Sequence, residues 1–146
     1  MYIRFFYQNN QRSYKHEVII ASFANLVSNL IDLPAEIEVC LYPLEKNVYG
    51  GIDVNRVNRI VMSTHLMYED IPRILTHELI HVSQKHTGLL TIDQRGMCRW
   101  KGIPYTDKSP EDMTYKEYSN LPWEVDVQNR EVKLLSEALR LYNSKI

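Results

Sequence analysis

Within residues 14–31 the apolar side chains of Val18, Ile19, Phe23, Leu26, Val27 and Leu30 recur at three- and four-residue spacing. That period predicts an amphipathic helix, closed before Pro34. Further on the period shortens to two. Residues 36–42 alternate polar and apolar and predict a strand, and residues 48–53 and 57–62 predict two more, with Asn55-Arg56 as the turn between them. The aromatic run at residues 2–7 suits a short N-terminal strand. A second helix is predicted over 69–85, with Asp70 and Pro72 suited to its first turn and Gly88 as its stop signal. Residues 87–119 carry the weakest pattern: a short strand within 98–105, and otherwise loop. A last helix starts near Asn120 or Leu121, has Pro122 in its first turn and runs almost to Ile146. This order predicts an α+β fold, with a short mixed or antiparallel sheet packed on the three helices.

Composition narrows the class. The chain has 146 residues, 45% of them hydrophobic and 24% charged, which suits one globular domain over residues 1–146 and excludes a low-complexity or disordered chain. Seventeen Lys+Arg against eighteen Asp+Glu leave a net charge of −1, so no bulk basicity points to nucleic acid or an anionic membrane. Residues 1–10 lack the apolar run of a signal peptide. The most apolar stretch, residues 18–33, is broken by Ser22, Asn25, Ser28, Asn29 and Asp32, too polar a mixture to span a bilayer. A cytoplasmic protein is the expectation. Cys40 and Cys98 are expected as free thiols, one in a strand and one in a loop.

The chemistry centres on His77-Glu78-Leu79-Ile80-His81, an H-E-x-x-H pattern inside the second predicted helix. Spacing of four puts the two imidazoles about 40° apart around the axis, close enough to share one Zn²⁺. Glu78 is rotated off that pair and suits a general base acting on a metal-bound water. Ile71, Ile74, Leu75, Leu79 and Val82 form the apolar stripe of this helix, and the histidines sit at its edge, facing a cleft. The other reading is a surface helix with two solvated histidines.

Catalytic zinc takes three protein ligands and keeps one position open. A downstream histidine in the H-E-x-x-H-x-x-G-x-x-H pattern fails here: Gln84 and Thr87 stand at the Gly and His positions, and His86 is one residue out of place. Glu124 is the better candidate. It opens the last helix, and Val127, Glu131, Leu134, Leu135, Ala138 and Tyr142 share its face, so its carboxylate points inward and needs a partner. The alternatives are that Glu124 only complements the helix N-terminus, or that Glu131 ligates instead. Asp126 lies about 160° around from Glu124 and does not suit the same metal.

With these residues in place, the chain resembles the gluzincin zinc metallopeptidases, in particular the small single-domain minigluzincins of prokaryotes and phages. The resemblance rests on His77 to His81 and on the Leu121-Pro122-Trp123-Glu124 opening preceded by Tyr118, and it covers roughly residues 50–130. It implies zinc held by His77, His81 and Glu124, with Glu78 as base and proton shuttle. It also implies an antiparallel edge strand lining the cleft, matched by residues 57–62 with Val57, Arg59 and Val61 as substrate-binding positions. Larger members carry an Asp four residues after the glutamate ligand, orienting a histidine; here Gln128 stands there, an acceptor without charge.

The expected function is zinc-dependent hydrolysis of a peptide or protein substrate, with a second donor stabilising the oxyanion. Tyr115 and Tyr118 are the tyrosines nearest Glu124, and Tyr118 is preferred. The alternatives are a zinc-binding regulatory module without peptidase activity and, more distantly, a nucleic-acid-associated protein using Arg95, Arg99 and Lys101 around Trp100. The remaining histidines, His16, His65 and His86, are expected at the surface or as caps. The stretch 87–119 is expected to cover the cleft, as a specificity element or a lid.

Overall fold

The computed structural model describes residues 1–9, 11–46, 48–52 and 56–144. In chain order these form β1 (Tyr2–Tyr7), α1 (Tyr14–Val27), β2 (Glu36–Tyr42), β3 (Gly50–Ile52), β4 (Arg59–Ser63) and α2 (Ile71–His86). There follow β5 (Leu90–Ile92), β6 (Cys98–Trp100), β7 (Ile103–Thr106), α3 (Tyr115–Ser119) and α4 (Pro122–Asn143). The fold is α+β.

The main sheet has the order β1-β2-β4-β3. Its first three strands are parallel, with Val39 opposite both Phe5 and Ile60, and β3 runs antiparallel to β4. Parallel neighbours need a crossover, and α1 supplies it between β1 and β2. One sheet face presents Ile37, Val39 and Leu41 of β2 and Ile60 and Met62 of β4, all essentially inaccessible. Against it lie Ile20, Phe23 and Val27 of α1, Leu75, Leu79 and Val82 of α2, and Val127 and Ala138 of α4, in one continuous core.

Local sequence explains several departures from the predicted boundaries. The first helix stops at Val27, four residues early: Ser28 turns its hydroxyl onto the Asn25 carbonyl, and a tight turn follows through Ile31. The predicted strand 48–53 shortens to Gly50–Ile52; Asp53, and Asn55 of the predicted turn, lie outside the described residues. The predicted strand 57–62 begins at Arg59, and it is interior. Both edges of β4 are taken, by β2 and by β3, so it cannot be the edge strand of the sheet.

Residues 87–119 are more ordered than their pattern predicts. A second, antiparallel sheet has the order β5-β6-β7. The single strand expected within 98–105 is two strands, folded at Lys101-Gly102, whose φ angles of 51° and 83° are those of a two-residue hairpin turn. Cys98 is therefore in a strand, not a loop; it and buried Cys40 are both free thiols. A short α3 precedes the last helix, started by a reciprocal cap between Thr114 and Glu117. His16 is buried, not at the surface: Ser13 Oγ lies 2.6 Å from its Nδ1, and its Nε2 is 2.9 Å from the Leu66 carbonyl oxygen. Among the described residues no helix is long and apolar enough to cross a membrane.

Candidate metal centre

Pro122 starts α4 without needing an intrahelical partner for its missing N–H, and Trp123 and Val127 bury themselves and fix the orientation of that first turn. Glu124 is thereby directed at α2. His81 Nε2 lies 3.0 Å from Glu124 Oε1, and His77 Nε2 lies 3.8 Å from Glu124 Oε2. One donor atom from each of the three residues falls within 4.8 Å of the others. His81 and Glu124 are almost wholly buried, whereas about a third of the His77 side chain (32%) is exposed, so the cluster opens to solvent on that side.

Each imidazole is held from behind. His77 Nδ1–H donates to Glu131 Oε2 at 2.9 Å, and His81 Nδ1–H donates to Gln84 Oε1 at 2.9 Å. A carboxylate only accepts, so the Glu131 contact assigns the Nδ1 proton of His77 and leaves Nε2 facing Glu124. Two imidazole nitrogens and one buried carboxylate, with the rear nitrogens already engaged, fit a tetrahedral zinc site with one open position.

Electrostatics follow from burial and these contacts. Burial alone would raise the pKa of Glu124, but its hydrogen bond and charge contact with His81 hold it below the ordinary carboxylate value. His81 moves the other way: burial would depress it, and the Glu124 partner raises it. Glu78 is buried beside the cluster, and desolvation raises its pKa despite the neighbouring imidazoles. The Tyr118 hydroxyl lies beside Glu124, and burial, with the two carboxylates, raises its pKa far above the usual phenol value. Tyr115, the other tyrosine considered, is 86% exposed.

The structure thus brings together His77, Glu78, His81, Tyr118 and Glu124. It does not bring Gln128 to a histidine; that side chain donates to the Ser119 carbonyl at 3.1 Å. Glu131, considered as a ligand, instead meets the rear nitrogen of His77. Val57 lies in the turn before β4, and Arg59 is paired with Glu38 at 3.1 Å. Val61 sits between Cys40 of β2 and Gly51 of β3. The strand that runs past Glu78 is β3: a Cβ added to Gly50 would stand 3.7 Å from Glu78 Cγ. Thr87 caps α2 by donating to the Ser83 carbonyl, and His86 lies at the surface, 3.7 Å from Asp32. In the second sheet, Arg99 bonds Asp93 at 2.8 Å, and Tyr105 of β7 packs edge-on against Trp123, one residue from Glu124.

Sequence reading alone passed over Gln84 as a partner of the site. The available signal was a polar residue one turn after His81, on the same face of the helix as both histidines. No family model, curated protein or solved structure matches the chain.

Proposed function

We propose that this chain is a zinc-dependent peptidase of gluzincin type, with His77, His81 and Glu124 holding the metal. The observation that carries this reading is the convergence of those three donors within 4.8 Å, with the carboxylate of Glu78 buried beside them. Bound there, zinc would supply Lewis acidity toward a water molecule and a peptide carbonyl.

The chain's own residues supply the rest. Glu78, with its carboxyl pKa raised by burial, is a stronger base than an exposed glutamate. It takes the proton from the attacking water and returns it to the departing amine. The Tyr118 hydroxyl, buried beside Glu124, is the donor available to the developing oxyanion. Among the described residues β3 is the last strand of the main sheet on its side, and it carries glycine at two of its three positions. An extended peptide can add to such an edge through backbone hydrogen bonds, alongside Glu78.

The test is elemental analysis of protein purified without chelator, for the parent, His81→Ala and Glu124→Ala. About one zinc per chain in the parent, sharply reduced in both variants, supports the three-ligand site. Cleavage of unfolded-protein and peptide libraries then tests the reaction. Zinc without turnover favours a metal-binding module, and a parent that takes up no added zinc overturns the enzyme reading.

A further inference from the structure

Gln84 is completely buried on α2, one turn beyond His81. A buried primary amide is costly unless both its ends are satisfied. Here the Nε2 group donates to the Trp123 carbonyl oxygen and to Asp126 Oδ2, each at 2.9 Å. Both of those atoms are acceptors, so the amide cannot be turned around, and Oε1 must face His81. The Nδ1 of His81, 2.9 Å from Oε1, therefore carries a proton, and Nε2 is the nitrogen that faces Glu124.

We infer that Gln84 is a positioning residue of the metal centre, fixing the ring of His81 and registering it against the turn of α4 that carries Glu124. Trp123 and Asp126 flank Glu124 in sequence, so one amide links a ligand on one helix to the backbone that presents a ligand on the other. Asp126 is in turn steadied by Arg130, whose Nε lies 3.4 Å from Oδ2. This inference rests on the zinc reading for its consequence, but the hydrogen-bond assignment stands apart from it.

The experiment compares the parent, Gln84→Met, Asp126→Asn, and Gln84→Glu combined with Asp126→Asn. Zinc affinity is read by competition with a chromophoric chelator, and Tm is read alongside. Gln84→Met is expected to weaken zinc binding about 10–100-fold. In the double variant the carboxylate at position 84 can accept from His81 and from the new amide at 126, while the Trp123 carbonyl stays without its donor. Recovery of zinc affinity with Tm still lowered is the expected result. Affinity as poor in the double variant as in Gln84→Met would overturn positioning and leave Gln84 as a tie between helices.

Nitrogen-15 NMR of the histidines in metal-free protein separates this inference from the zinc reading. A His81 Nδ1–H signal in the parent, lost in Gln84→Met, supports the orientation even if no zinc binds. Its absence from the parent overturns the orientation whatever the metal content.

Discussion

Glu131 meets His77 from behind, 2.9 Å from Nδ1, while Glu124 meets the same ring across Nε2 at 3.8 Å. Two carboxylates seven residues apart on one face of α4 thus bracket a single imidazole. Their substitutions should differ accordingly. Glu124→Ala removes a proposed ligand and is expected to abolish stoichiometric zinc binding, whereas Glu131→Gln keeps an acceptor and is expected to weaken it by about 10-fold. Chelator competition on both variants measures the difference, and equal losses would make Glu131 a ligand.

Glu78 touches none of the proposed ligand nitrogens as a donor, yet it is buried next to them. Glu78→Gln is therefore expected to retain about one zinc per chain while losing roughly 10²–10⁴ in kcat. Metal analysis and peptide cleavage on the same preparation give the answer; a variant that cleaves as well as the parent removes Glu78 from the mechanism.

Tyr118 gives a different signature. Tyr118→Phe keeps the ring and loses the hydroxyl beside Glu124. The expectation is a fall in kcat of about 10²–10³ with a much smaller change in KM, since an oxyanion donor acts mainly in the transition state. A fall in zinc affinity as large as the fall in kcat would instead place the hydroxyl's importance in holding Glu124.

Legibility of this chain followed the strength of its periodicities. α2 and α4 announce themselves by apolar stripes, and the three proposed ligands lie at their edges. The order of strands was not readable, because alternation identifies which face of β4 is buried and says nothing about its neighbours. The second sheet failed for another reason: β6 is half-buried along its whole length and β7 is mostly exposed, so no alternation marks them. The partner of His77 shows a third limit. Gln128 and Glu131 both lie near the angular position of Glu124 on α4, and only the crossing of α4 over α2 decides which one reaches the ring.

The two glycines of β3 are expected to respond oppositely. A Cβ on Gly50 would stand 2.9 Å from the Val61 carbonyl oxygen and 3.3 Å from Ile74 Cγ2, whereas one on Gly51 meets nothing within 4 Å. Gly50→Ala should destabilise by about 1–3 kcal/mol through overpacking, and Gly51→Ala should be neutral or stabilising by up to about 1 kcal/mol. Urea unfolding of both variants tests this, and matching losses would contradict the packing at Gly50.

Acid stability should depend on Glu17, on a helix that carries none of the proposed ligands. Burial alone would raise its pKa, but Arg12, with Nε at 2.9 Å and Nη2 at 3.1 Å, holds it below the ordinary value. Tyr7 is correspondingly pushed up to about 12, by burial first and Glu17 second. A depressed carboxyl pKa stabilises the fold above the unfolded value near about 4.3, and that contribution disappears as pH falls through the folded value. Glu17→Gln should therefore lower Tm at neutral pH, with the gap from the parent closing in acid. A gap that persists unchanged at low pH would assign the loss to packing.

The separation of the proposed ligands along the chain sets an order of assembly during synthesis. A nascent chain that has emerged only through α2 offers two imidazoles and, in Gln84, an amide with no α4 to grip. The whole second sheet must follow before Leu121 and Pro122 start the helix that carries Glu124, Asp126 and Glu131. High-affinity metal capture on this reading is thus the last local event of folding. A ribosome-stalled chain ending before α4 should exchange zinc freely, at the strength of two histidines alone.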